Sequence, residues 1–136
     1  MKIPISFCLG WPERLNIDIP RMQPLNLKKL HFEPIDQKRF PCLPLSIKAA
    51  KNGGGATAVL NGANEEVVSA FLDEKINFLD IYKTLSLVME KLDKILFLKE
   101  KEPIPSYLPN IKTLEDAIKA DRWGRNLATK IIEQIS

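Results

Sequence analysis

Proline divides this chain more sharply than any other residue. Seven of the ten prolines (Pro4, Pro12, Pro20, Pro24, Pro34, Pro41 and Pro44) lie in the first 44 residues, none lies between 45 and 102, and three fall at 103–109. Each one removes a backbone donor and biases the residue before it towards extended geometry. Residues 10–40 are therefore predicted to run as an extended, irregular strap. Trp11, Leu15, Ile17, Ile19, Met22, Leu25, Leu27, Leu30 and Phe32 are interleaved with the prolines. Apolar side chains at that density need a surface to lie on, so the strap is expected to cross and cover something.

Ahead of the strap, Ile3, Ile5, Phe7 and Leu9 alternate with Pro4, Ser6 and Cys8. Alternation with a period of two predicts a short strand over residues 1–9 with one buried face, and Pro4 pushes it to an edge. No second convincing strand follows. A lone strand needs ladder partners, so these are expected to come from elsewhere.

From residue 41 the period becomes helical. A short helix is predicted over Pro41 to Lys51, stopped by Asn52-Gly53-Gly54-Gly55. A second spans about Thr57 to Glu74, with Leu60, Val67, Val68, Ala70, Phe71 and Leu72 as its apolar content and Asn61-Gly62 as a kink or restart. A third starts near Leu79, where Asn77 can cap and Asp80 places a carboxylate in the first turn. Its stripe is Ile81, Leu85, Val88, Met89 and Leu92, one face of a 3.6-residue repeat. Thr113 and Asp116 form a relative of the capping box. The helix they open is expected to bend near Ala120-Asp121 and to turn Trp123, Leu127, Ile131 and Ile135 inward. The predicted fold class is mainly α: a four-helix-bundle-like domain preceded by an extended proline-rich strap and one short β-strand.

At 136 residues, 45% hydrophobic and 27% charged, the composition is that of a soluble globular domain. No apolar run approaches the roughly 18 residues of a membrane span, and no charged-then-apolar segment opens the chain, so neither membrane nor secretory signal is expected. The net charge of +3 is carried thinly by residues 1–44, with seven Lys/Arg against four acids. Nucleic-acid footprints concentrate charge on one face, so no nucleic-acid partner is expected. Two distant cysteines suit neither a disulfide scaffold nor a zinc site, and a cytoplasmic setting is expected.

Chemistry-bearing residues are sparse. His31 is the single histidine; without an orienting partner it reads as a partly covered strap residue. Cys8 and Cys42 have no neighbouring base and read as buried, unreactive thiols. The run Lys51-Asn-Gly-Gly-Gly-Ala-Thr57 has its lysine before the glycines, unlike a phosphate loop, and reads as helix punctuation. Asn61, Asn64, Glu65 and Glu66 read as a polar cluster that satisfies the kink and pairs with lysines, because neighbouring helix positions diverge too far to chelate one ion. Trp11 is expected under the strap and Trp123 in the bundle core. From the residues alone there is no catalytic and no metal site, and the chain reads as a packing, interaction or assembly segment. A stand-alone helical interaction or adaptor module is the alternative reading.

The order of motifs says more than any one of them: Met1-Lys-Ile-Pro-Ile5, Gly10-Trp-Pro-Glu-Arg14, Phe40-Pro-Cys-Leu43, Ala58-Val-Leu-Asn-Gly-Ala-Asn-Glu65, Ala70-Phe-Leu72, Ile76-Asn-Phe-Leu-Asp-Ile81 and Ala120-Asp-Arg-Trp-Gly-Arg125. Over its whole length the chain resembles the C-terminal third of the 1-deoxy-D-xylulose 5-phosphate reductoisomerase family. The resemblance implies a parent enzyme of the non-mevalonate isoprenoid pathway. That parent uses NADPH and a Mg²⁺, Mn²⁺ or Co²⁺ ion, acts as a homodimer, and is cytoplasmic or housed in a plastid-type organelle. It also implies domain limits: residues 1–9 as the last strand of the central catalytic domain, 10–40 as a linker strap, and 41–136 as the C-terminal helical bundle. By the same resemblance the upstream catalytic domain is the partner, the metal, nucleotide-loop and substrate ligands lie upstream, and the fragment alone is inactive. One family position maps here: Met1 matches a methionine that packs near the nicotinamide ring in the full-length context. Pro44 and Gly124 depart from the family pattern, with Gly124 standing where alanine is usual, and both are expected to weaken the bundle slightly.

Overall fold

A computed structural model describes residues 1–18, 30–97 and 105–135. The chain divides into two compact units, Met1–Pro34 and Ile35–Ser136. Among the described residues there are five helices and no strand.

In the first unit, Lys2–Gly10 forms a helix, α1, where the alternation predicts a strand. The physical reason is backbone satisfaction. A strand must find its hydrogen-bond partners on a neighbour, and a helix finds them within itself. Pro4 is tolerated because it lies in the first turn, where its missing N–H has no intrahelical partner to lose. Residues two apart diverge by about 200° on a helix, so Ile3 and Phe7 share one side while Ile5 and Leu9 share another. No residue of α1 is buried. Phe7 instead meets Trp11 edge-on, with ring centroids 5.4 Å apart. The Trp11–Pro12 peptide bond is cis. Leu15 returns against Gly10, whose missing side chain leaves the room.

Among the described apolar side chains of the strap, only Ile17 is half-buried, in a cleft it shares with Ile3, Pro4 and Phe7 of α1. Trp11, Leu15, Leu30 and Phe32 are all exposed, as is His31, and Cys8 is exposed rather than buried. The expectations for Ile19, Met22, Leu25 and Leu27 lie outside the described residues.

The second unit is a bundle of α2 (Cys42–Asn52), α3 (Ala56–Leu72), α4 (Phe78–Phe97) and α5 (Leu114–Ile135). Local chemistry sets its punctuation. Pro44 falls in the first turn of α2, and the helix ends where Gly53 adopts φ +67° and donates back to the Ala49 carbonyl at 3.2 Å. At α4, Asp80 Oδ2 accepts from the Asn77 N–H at 3.0 Å. At α5, Thr113 Oγ1 accepts from the Asp116 N–H at 3.1 Å while Asp116 accepts from the Thr113 N–H at 3.0 Å, a reciprocal capping box. Helix α5 runs through Ala120-Asp121 without a break.

Helix α3 is the centre, packed chiefly on α5 and next on α4. Against α4 it meets ordinary aliphatic side chains: Leu85, Val88, Met89 and Leu92 are buried as their spacing predicts, joined by Ile95. Against α5 the contact is of a different kind. Buried residues there are Ala120, Gly124, Ala128 and Ile132, one position along from the predicted Trp123, Leu127, Ile131 and Ile135 stripe. Trp123, Leu127 and Ile131 are half-buried flanks of the core, and Ile135 is 45% exposed.

Glycine explains the shift. A Cβ on Gly124 would collide with the Val59 carbonyl, and one on Gly62 with the Asp121 carbonyl. These two glycines let the backbones of α3 and α5 touch. There is no restart at Gly62, since α3 is continuous from Ala56 to Leu72. Gly124 likewise does more than lower helix propensity: it is the condition for the contact.

Candidate functional site

The polar cluster predicted on α3 is assembled, but with a partner the sequence reading missed. Glu65 pairs with Arg125 of α5, and Asn61 Nδ2 donates to Glu65 Oε1 at 3.2 Å. Arg125 Nε also donates to Asp121 Oδ2 at 2.7 Å, and its Nη1 lies 3.9 Å from Glu66 Oε2. The expected lysines are replaced by one arginine, whose planar fork serves several carboxylates at once. The signal was available, because Asp121 and Arg125 stand four apart on one helix. The bond from Arg125 holds the Glu65 carboxyl below the usual carboxylate range, and Asp121 and Glu65 together raise the guanidinium further above its own. Such a cluster clamps α3 to α5. Its three carboxylates, Glu65, Glu66 and Asp121, all turn towards the one guanidinium of Arg125.

The glycine run is equally structural. The Gly55 N–H donates to the Leu108 carbonyl at 2.8 Å. A Cβ on Gly54 would lie 2.5 Å from the Pro109 carbonyl. Carbonyl oxygens face this turn, the opposite of a phosphate cradle, which needs converging N–H groups. Leu108, absent from the sequence expectations, is fully buried and docks the 105–112 segment on α3.

Of the remaining candidates, Cys42 is half-buried and burial pushes its thiol up, in keeping with an unreactive side chain. Met1 precedes α1, is 90% exposed and accepts a hydrogen bond from the Ile5 N–H at 3.2 Å. Among the described residues no group of three or more His, Cys, Asp or Glu side chains could hold a metal ion. No described helix is long and apolar enough to cross a membrane.

Two open clefts share Cys42. One, between α2 and α3, is lined by Leu45, Ser46, Leu60, Asn61 and Asn64. The other is walled by Phe40 and Leu43 on one side and by Phe78, Leu79 and Tyr82 on the other.

Fold and site together define a helical-bundle domain built to pack. Residues 1–127 match the family model for the DXP reductoisomerase C-terminal domain, and the chain belongs to that family. The 1-deoxy-D-xylulose 5-phosphate reductoisomerase of Wigglesworthia glossinidia brevipalpis is 43% identical over 98% of this chain and 30% of its own length. That of Prochlorococcus marinus is 34% identical over 98% of this chain and 30% of its own length. Among solved structures, the Zymomonas mobilis enzyme in complex with NADPH matches with TM-score 0.66 and 36% identity, over 96% of this chain and 31% of that one. A DOX-P reductoisomerase with fosmidomycin and magnesium matches with TM-score 0.72 and 32% identity, over 98% of this chain and 32% of that one. The chain thus spans about a third of the length of the relatives it matches.

Proposed function

We propose that this chain works as the C-terminal helical domain of a 1-deoxy-D-xylulose 5-phosphate reductoisomerase. The whole protein would convert 1-deoxy-D-xylulose 5-phosphate to 2-C-methyl-D-erythritol 4-phosphate with NADPH and a divalent cation, as a cytoplasmic homodimer. In this reading residues 10–40 link the bundle, residues 41–136, to a preceding catalytic domain, and the bundle braces that domain. The carrying observation is the match over residues 1–127 to that family's C-terminal domain, at about a third of the relatives' length. The bundle supports it: the charged side chains between α3 and α5 pair with one another, and the glycines sit at backbone contacts.

The chain alone is inactive in this reading. With substrate, NADPH and Mn²⁺ its absorbance at 340 nm stays flat, and it turns over only when joined to the upstream part of such an enzyme. Turnover by the 136-residue chain itself would overturn the assignment. Met1 is proposed to lie near the nicotinamide in the joined enzyme. Met1→Ala there raises the KM for NADPH a few-fold with the KM for substrate unchanged, and equal NADPH kinetics removes it from the site.

A further inference from the structure

Large apolar side chains reach solvent at several places on the bundle, so exposure by itself singles out none of them. The cleft that Phe40 and Leu43 share with Phe78, Leu79 and Tyr82 differs in the charge around it. Lys38 and Arg39 stand on its rim, and among the described residues no carboxylate lines it. Two other clefts of the bundle mix their signs: Arg122 and Arg125 lie with Asp121 in one, and Lys48 and Lys94 with Glu90 and Asp93 in the other. Neither Lys38 nor Arg39 forms an ion pair among the described residues; the Arg39 guanidinium lies over the Phe40 ring, 5.6 Å from its centroid. The neighbouring acids are already engaged. Asp36 accepts from the backbone N–H groups of Lys38 and Arg39 at 2.9 and 3.1 Å. Asp80 accepts from Lys83 Nζ at 2.8 Å and from the Asn77 N–H at 3.0 Å. The Phe40 N–H donates to the Asp36 carbonyl at 3.0 Å, which closes the turn that carries both cations.

We propose that this cleft binds a soluble amphiphilic phosphate, its alkyl tail among Phe40, Leu43, Phe78 and Leu79 and its dianionic head on Lys38 and Arg39. The site is independent of the functional reading above. Three observations select this occupant. The cleft holds about 290 Å³, the scale of a small-ligand site rather than of a protein interface. Its walls are aromatic and aliphatic, so a methylene chain gains by leaving water for them. Two adjacent cations without a carboxylate of their own match a double negative charge, and a guanidinium can hold two phosphate oxygens at once. A bilayer is a poorer match, because a membrane surface takes up an outward apolar face, whereas these side chains wall a concavity.

The test titrates butyl, hexyl and octyl phosphate, each below its micelle concentration, into the 136-residue chain by calorimetry. One molecule binds per chain, and each added CH₂ tightens the Kd by about three- to fourfold. In amide NMR spectra the signals that move belong to residues 38–43 and 78–82. Octyltrimethylammonium, with the same tail and the opposite head, binds roughly tenfold more weakly or worse, and octanoate, with a single negative charge, several-fold more weakly. Lys38→Gln combined with Arg39→Gln weakens octyl phosphate by roughly tenfold or more. Arg122→Gln, which removes a cation from another cleft, leaves the Kd in place. Leu79→Asp abolishes binding; the side chain is 72% exposed and a carboxylate suits the first turn of α4, so the fold tolerates it. Should a variant unfold, the spectra of the unaltered chain decide. Absence of saturable binding at millimolar octyl phosphate overturns the proposal, as does a Kd indifferent to tail length, to head charge or to the two cations, or a set of shifts centred outside the cleft. Binding to phosphatidylglycerol vesicles without binding to soluble octyl phosphate gives the face to a membrane and also overturns it.

Discussion

In the unit Met1–Pro34, helix α1 leaves Ile3, Ile5, Phe7 and Leu9 between 44% and 77% exposed, whereas in the bundle Val59, Val67, Val88 and Leu92 lose all contact with water. Both regions are rich in large apolar side chains, and both are helical. The difference is angular. In α4 the apolar residues recur every three to four positions and fall on one stripe; in α1 they recur every two and scatter around the helix axis. Abundant apolar residues are therefore not enough to build a core. Their period must match the element that forms, and in α1 it does not.

That contrast can be broken or sharpened by substitution, from large effects to small. Leu92→Ala removes a fully buried side chain and is expected to cost about 2–5 kcal/mol, read by thermal or urea unfolding of the bundle. A cost under 1 kcal/mol would mean that the α3–α4 contact is loose. Gly124→Ala is expected to destabilise by about 1–3 kcal/mol through overpacking against the Val59 carbonyl. Helix propensity alone predicts the opposite sign, a gain of about 1 kcal/mol, so a stabilised variant would show that α3 and α5 do not touch backbone to backbone.

Thr113→Val removes the α5 cap and should cost about 1 kcal/mol. Acid should then weaken the bundle more gently. Asp80, Asp116 and Glu65 are held below their ordinary values, chiefly by hydrogen bonds from Lys83, from the Lys112 N–H and from Arg125 respectively. A depressed carboxyl contributes stability above its unfolded pKa, about 4, and loses it as the pH falls through the lower folded value. Tm should hold from pH 7 to about 4.5 and drop below that; Asp116→Asn should flatten part of the drop, and an unchanged slope would remove Asp116 from the account. The smallest effect is Ile5→Ser in α1, expected within about 0.5 kcal/mol because the side chain is 52% exposed. A loss as large as that of Leu92→Ala would mean that α1 has a buried face after all.

Much of the bundle is legible in the sequence. The α4 stripe, the Gly53 stop, the first-turn carboxylate Asp80 and the Thr113/Asp116 cap all depend on residues within a turn of one another, and local chemistry decides them; the Asn77 side chain, expected as a cap, donates to Asp80 instead. The clefts that share Cys42 were legible only in pieces. Phe40-Pro-Cys-Leu43, the Asn61–Asn64 stretch and Phe78-Leu-Asp-Ile81 each stood out in the sequence, but nothing in their spacing says that α2, α3 and α4 bring them around Cys42. Arg125 was missed as the partner of Glu65 because the two lie 60 residues apart.

Taken alone, the order of residues determined where helices of the bundle begin and end, and to which family the chain's motifs point, because capping, chain breaking and motif order are local properties. Only the tertiary structure decided which side of α5 faces inward. Ala120, Gly124 and Ala128 have almost no side chain to bury, so they leave no mark on a hydrophobic pattern. They win the interior because the absence of side chains lets two backbones close together and press many atoms into van der Waals contact. Tertiary structure likewise settled α1, since a strand exists only where a neighbour completes its hydrogen bonds, whereas a helix completes its own.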